Sequence, residues 1–514
     1  MIAMSRAARW CAACAIVLLT FALCACSTGD KVDLGGDASG RLIAGIAGEP
    51  DQLDPNKTSA YFSFEVLENV YDTLVEPDSD LKMRPALAES WDVTPDQLNW
   101  TFHLRRGITF HDGSPLTADD VVVTYRRIID EELANVDKLS AVADIRAADP
   151  STVVIRLKHP SPNLLTNLGG FKGMAIVQRK NVESGQIATH PIGTGPFSFE
   201  GQKSGDSITL TANPDYWGGP PKVSGVTFRF IPEKSTALSA LQAGEIDWTD
   251  SIPTQRVNQL RDDDTVNLAV VPSNDYWYLA LNEARKPWDD VRVRQAIAYA
   301  IDRSAIVTAT SYGTAAANEL AIPKGNFWYT DYHRYDYDIN KAKELLAQAN
   351  ASPQNLDMLV TTEYPETVTA AQIIADNLAP LGITVDIRTV DFATWLDEQN
   401  SGHFDMLMMG WLGNIDPDDF YYAQHHTNGT SNAQKYSNPE VDRLLDAGRV
   451  ETNQDARAAI YRKAATIIAD DCSYIYLYNP SVIQAWNKDM TGYEARRDKA
   501  IRFGTASVSE GGAQ

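Results

Sequence analysis

His425-His426 is the only adjacent histidine pair in the chain, and such pairs are a natural place to look for a metal. Neighbouring histidines point apart on a strand and lie ~100° apart on a helix, so they rarely chelate one ion together. A solvated loop pair is the expectation here. The acidic pairs Asp119-Asp120, Asp289-Asp290 and Asp418-Asp419 each stand beside a turn or helix start, where carboxylates cap backbone donors. Capping is their expected role. No G-x-S-x-G, G-x-x-x-x-G-K-[ST] or H-E-x-x-H motif occurs. Gly193-Thr194-Gly195 begins like a dinucleotide fingerprint, but Pro196-Phe197 follows where a helix should open, so it reads as a tight turn entering a strand. No catalytic residue, metal or cofactor is expected.

The N-terminus carries a different chemistry. Arg6 and Arg9 precede an apolar run from Ala12 to Ala25, too short for a comfortable transmembrane helix. It ends in Leu23-Cys24-Ala25-Cys26, which resembles a bacterial lipobox, where a small residue precedes a cysteine that is acylated and becomes N-terminal after cleavage. Cys24 fits worse, because Leu23 precedes it. The alternative is an ordinary signal peptide cut nearby. Residues 1–25 are thus expected to be a lipoprotein signal, Cys26 the lipidated residue, and 26–40 a flexible Ser/Gly/Asp-rich tether. Only Cys472 then remains in the body, which rules out a disulfide framework and reads as a small buried hydrophobe.

The chain has 514 residues, 44% hydrophobic, with a formal charge of -23 that becomes -25 once Arg6 and Arg9 are removed. Such a surface repels phosphates, so a nucleic-acid partner is excluded. Single cores stop growing near ~250–300 residues, so more than one compact unit is expected. Ile208-Thr209-Leu210 and Val226–Phe230 alternate as strands. Val293, Ala296, Ile297, Ala300 and Ile301 share a face, predicting a helix over Val291–Thr308, with Asp302-Arg303 ending it and pairing locally. Asn438-Pro439-Glu440 marks a capped helix start. Thr367–Ala379 reads as a helix, and Ile383, Val385 and Ile387 as a strand. Intermixed strands and helices predict an α/β or α+β class.

A family resemblance sharpens this picture. Ala88-Glu89-Ser90-Trp91, the run from Trp100 to Gly113, and Leu116-Thr117-Ala118-Asp119-Asp120-Val121 resemble the signature of extracellular solute-binding proteins, family 5, the peptide- and nickel-type receptors of ABC importers. Gly193–Phe197, Asn213–Trp217, Gly244–Asp247, Asp290–Ala296 with Ala300–Arg303, and Gly410-Trp411 ahead of Asp416-Pro417-Asp418 continue the resemblance in order. Physically, Trp100, Phe102, Leu104 and Phe110, interleaved with polar residues, predict a hairpin whose apolar face is buried, with turns at Gly107 and Asp112-Gly113.

The resemblance implies an α/β, two-lobed periplasmic-binding-protein-like fold of the class II type, with an extra inserted domain. Lobe I would combine 41–75, 191–272 and 480–509, the insertion 76–190, and lobe II 273–479. It implies a monomeric receptor on the outer face of the bacterial cell membrane, binding a peptide or other small solute and docking on permease and ATPase subunits. In peptide-binding relatives an Asp three residues after the Gly-Trp tryptophan takes the peptide ammonium; here Asn414 stands there. The arginine of dipeptide receptors is replaced by Glu363-Tyr364-Pro365-Glu366, which argues against strict dipeptide specificity. Tyr61, Phe392 and Trp411 match cleft positions, and Tyr276 lies on the segment between lobes; core packing is the alternative for each. Asp250 or Asp416 is the candidate replacement acid. An oligosaccharide or a chelated metal such as nickel is the alternative solute, and a surface enzyme or adhesin ranks last.

Overall fold

The computed structural model describes residues 40–351 and 355–509, so the signal segment, Cys26 and nearly all of the tether lie outside it. The first lobe is built on a seven-stranded sheet in the order Val266–Pro272, Ser481–Asn487, Trp248–Thr249, Leu42–Ile46, Gly225–Phe230, Ser207–Ala212, Phe197–Lys203. Leu42–Ile46 runs parallel to both neighbours and is covered on both faces, as its unbroken apolar LIAGI sequence demands. On one face Trp248 meets Phe503 and Tyr493 edge to face, at 5.4 and 5.8 Å. Helix Lys234–Gln242 covers the other, with Ala237, Leu238 and Leu241 packed beside Ile246.

The second lobe is built on a six-stranded sheet in the order Ala316–Ala317, Tyr474–Asn479, Tyr276–Leu281, Met406–Trp411, Asn355–Thr361, Thr384–Val390. Tyr276–Leu281 and Tyr474–Asn479 are buried throughout, and Tyr278 stacks on Tyr474 at 3.8 Å. A separate four-stranded antiparallel sheet, Ala88–Val93, Asn99–Leu104, Thr152–Leu157, Val142–Asp149, packs on helix Ala118–Asp130 around its own core. Thr117 and Asp120 close a capping box at that helix start.

Trp100, Phe102 and Leu104 point into this core as their alternation requires. Their strand pairs with Ala88–Val93 and Thr152–Leu157, however, and the stretch through Phe110 to Gly113 adds only a bridge between Thr109 and Pro115. The expected helix over Val291–Thr308 is two helices, Val291–Ala300 and Arg303–Ser311. Asp302 does not end a helix but starts one, its carboxylate accepting from the Ala305 N–H at 2.9 Å. Arg303 turns inward and donates to the carbonyls of Tyr476, Ala298 and Tyr335 instead of pairing with its neighbour. Gly193 and Gly195 enter strand Phe197–Lys203 against the backbone of Val70: a Cβ on Gly195 would lie 2.6 Å from the Val70 carbonyl carbon. Close approach explains both glycines without any nucleotide.

Candidate functional site

The chain passes between the two large sheets twice, at Ser273-Asn274-Asp275 and at Pro480. The passages are bound side by side. Ser273 Oγ donates to the Pro480 carbonyl at 2.7 Å, and Asn479 Nδ2 to the Asp275 carbonyl at 2.8 Å. The Asp275 carboxylate is fully buried and committed on both oxygens: Oδ1 accepts the Gly413 N–H at 2.5 Å, and Oδ2 lies 2.7 Å from Lys499 Nζ. Lys499 thus joins the C-terminal segment to the second lobe. Its backbone φ of +62° is left-handed, which is uncommon for a lysine and costs energy that the surrounding contacts must offset.

Lys499 Nζ lies 5.8 Å from the ring of Tyr61, the first residue of helix Tyr61–Leu67. The Tyr61 hydroxyl donates to Asp250 Oδ2 at 3.1 Å; Asp250 directly follows strand Trp248–Thr249. One helical turn beyond Tyr61, Glu65 is 2% exposed, and among the described residues no donor reaches either carboxyl oxygen. The charged groups acting on it are Asp250, Glu68 and Lys499. Burial, then the adjacent Asp250, pushes the Glu65 pKa well above the usual carboxylate range. Burial also raises Asp250, against the hydrogen bonds from Glu65 and Tyr61 and the charge of Lys499. Burial pulls Lys499 down, but Asp275, Asp250 and Tyr364 outweigh it and hold the ammonium above its ordinary value.

Aromatic rings continue from this cluster. Tyr364 packs edge-on against Trp277 at 5.7 Å and against Phe392 at 6.2 Å. Phe392 is 40% exposed and stacks on the buried Trp395 at 5.9 Å. Trp411, partly exposed, ends strand Met406–Trp411 opposite Tyr276. Tyr276 itself is fully buried; it stacks on Phe420 and donates to that residue's carbonyl at 3.3 Å, which is core packing. A cavity of about 30 Å³ lies beside the cluster, lined by Glu68, Lys138, Gly413, Asp419, Asp498 and Arg502 among others. Burial, partly offset by Arg502, moves Glu68 up to about 7.

The candidate acids part company. Asp250 stands in the cluster. Asp416 is held in a buried two-pronged pair with Arg457, at 2.7 and 2.5 Å, and also caps helix Pro417–His425. Its charge is thus compensated within the fold by Arg457. Asn414 is buried, its carbonyl accepting from Asn274 Nδ2 at 2.9 Å, while its own Nδ2 has no acceptor among the described residues. The histidine pair is not a solvated loop. His425 is fully buried among Tyr421, Tyr436, Tyr474 and Tyr476, and burial lowers it to about 3. His426 stacks on Tyr422 and lies 3.5 Å from Asp446. His425 ends helix Pro417–His425 on its buried side, whereas His426 lies just past the helix end, in extended backbone. Among the described residues, no group of three His, Cys, Asp or Glu side chains could hold a metal ion, and no helix is long and apolar enough to cross a membrane. Cys472 is buried, and desolvation raises its thiol to about 12.

Sequence reasoning passed over Glu65, Asp275 and Lys499. Glu65 had a signal in its spacing of four from Tyr61. Asp275 and Lys499 are separated by more than two hundred residues, and nothing local marks their meeting.

The model for bacterial extracellular solute-binding proteins, family 5 (middle) matches residues 82–432. A probable D,D-dipeptide-binding periplasmic protein of Escherichia coli is 29% identical over 469 residues, covering 88% of this chain and 91% of that protein. Among solved structures, the periplasmic binding protein DppA of Helicobacter pylori in complex with the peptide STSA superposes with a TM-score of 0.83 at 28% identity, covering 91% of this chain and 98% of its own. The binding protein AgaA of A. tumefaciens in complex with agropinic acid gives 0.81 at 28%, covering 91% and 99%.

Proposed function

The chain belongs to the bacterial extracellular solute-binding proteins of family 5, and on that premise we propose that it captures oligopeptides between its lobes and delivers them to an ABC permease with its ATPase subunits. The family consists of substrate-binding receptors. The observation that carries the peptide reading is the charge arrangement at Asp250. One cation, Lys499, serves two carboxylates, and its short contact goes to Asp275. Asp250 therefore offers a partly buried carboxylate, oriented by Tyr61, that a ligand ammonium would neutralise. Asn414 adds an amide donor with no acceptor among the described residues, suited to a peptide carbonyl, and Tyr61, Phe392 and Trp411 add flat contact area. Tyr276 supports these residues from the core.

Asp250→Asn is expected to weaken peptide binding by ~2–5 kcal/mol, and Asn414→Ala by ~0.5–1.5 kcal/mol. Calorimetry with tri- to hexapeptides, free and N-acetylated, measures both. Equal binding of the acetylated peptides together with a silent Asp250→Asn would refute the ammonium site. Thermal stabilisation by oligosaccharides or nickel chelates alone would replace the peptide reading with the corresponding solute. The membrane part of the proposal rests on Leu23-Cys24-Ala25-Cys26: Cys26→Ser should move the protein from the membrane to the soluble fraction.

A further inference from the structure

Glu65 is an unusual group to bury. It is 2% exposed, no N–H or O–H donor among the described residues reaches it, and its carboxyl faces a second carboxyl, Asp250. Tyr61, one turn before Glu65 on the same helix, bonds Asp250 at 3.1 Å, and the one cation serving both carboxyl groups is paired with Asp275, so two carboxyl groups this poorly compensated away from water favour one proton between them. We propose that the Glu65–Asp250 pair is a proton-for-cation exchange site, keeping one proton until a ligand's cationic group arrives and releasing it to solvent as that group takes its place. This rests on the reading that the ligand presents an ammonium to Asp250. In the exchange the Glu65 O–H bond to its proton breaks, the proton passes to water or buffer, and N–H donors of the ammonium bond to the carboxylate oxygens.

The surroundings favour this direction. Asp250 faces Glu65 from the strand end, Glu68 from the same helix, and Lys499 from the C-terminal segment, which also brings Tyr493. Tyr61 and Lys234 act on Asp250. The ion pair of Lys499 is with Asp275. An incoming ammonium therefore adds the positive charge that Glu65 lacks, and a nearby opposite charge favours the ionised carboxylate. By linkage, the affinity for a cationic ligand rises with pH while Glu65 is protonated in the ligand-free protein, by up to tenfold per pH unit for one proton released. Glu65 would in this way select for a ligand able to displace a proton. A neutral solute of the same shape leaves the proton in place.

Two measurements on the full chain test the exchange. Infrared difference spectra between the ligand-free protein and Glu65→Gln should contain a protonated-carboxyl C=O band at neutral pH; its absence overturns the resident proton. Calorimetric titration with alanine tri- to hexapeptides, in buffers of different protonation enthalpy, should show about one proton released per peptide in the wild type and none in Glu65→Gln. Preference for free over N-acetylated peptides without proton release would overturn the exchange and leave the ammonium reading standing. Equal binding of both peptide forms, or no binding, would overturn that reading and the exchange with it, whatever the infrared band shows. Should Glu65→Gln not fold, the buffer dependence of the wild type decides alone.

Discussion

Asp416 provides the sharpest test of how the second lobe is held. Its carboxylate accepts two bonds from Arg457, at 2.7 and 2.5 Å, and one from the Asp418 N–H at 3.0 Å. Both side chains of the pair are nearly sealed from water, 6% and 3% exposed. Among the described residues, Arg457 otherwise donates only to the Gly448 carbonyl and lies over the rings of Trp328 and Tyr461, at 5.3 and 5.1 Å. Removing the carboxylate leaves a guanidinium buried without its counter-charge, which costs ~3–5 kcal/mol. Asn caps a helix about as well as Asp, so Asp416→Asn loses mainly the charge pair, whereas Asp416→Ala also loses the cap, a further ~1 kcal/mol. Urea unfolding at pH 7 measures both. In Asp416→Asn combined with Arg457→Met the stranded charge is gone, so part of the loss should return, and the coupling energy should be at least ~2 kcal/mol. An Asp416→Asn protein within ~1 kcal/mol of wild type would refute the reasoning. So would Asp416→Asn abolishing ligand binding in protein that is still folded, because that would assign the carboxylate to the ligand.

Two further outcomes follow from buried groups. Gly195→Ala places a methyl 2.6–2.7 Å from the Val70 carbonyl carbon and oxygen, backbone atoms that cannot swing aside, and should destabilise by at least ~1–3 kcal/mol in thermal unfolding; an unchanged Tm contradicts the close approach. His425, lowered to about 3 by burial, binds its proton more weakly folded than unfolded, where its pKa is ~6.5. The unfolded state therefore binds more protons between these values, and stability is lost as pH falls through that window. His425→Phe should make the decline between about pH 6 and pH 4 shallower by up to ~1.4 kcal/mol per pH unit, read from urea midpoints at stepped pH. An equal slope in both proteins would mean that His425 is already protonated in the fold.

Local rules settled much of this protein. Period-two alternation located Ser207–Ala212 and Gly225–Phe230, and Asn438-Pro439-Glu440 placed the start of helix Pro439–Val450 at its proline. Capping was legible at Asp120 and Asp290, whose carboxylates accept backbone N–H groups within their own turns. These features depend on residues a few positions apart, so the sequence alone contains their physics. The helix break at Asp302 was less legible, since an apolar face running past an N-capping aspartate suits one helix or two. Packing chose between them, because Arg303 satisfies three carbonyls brought from elsewhere in the fold. The site was the least legible. Asp416 and Asp250 are the same residue type, but one meets Arg457 across 41 positions and the other meets Tyr61 across 189. Charge compensation is a property of which distant groups arrive within a few ångströms, and in a medium of low dielectric that decides whether a carboxylate is spent on structure or left for a ligand. No spacing rule contains that information; only the tertiary arrangement of the two sheets, with Lys499 drawn to Asp275, supplies it.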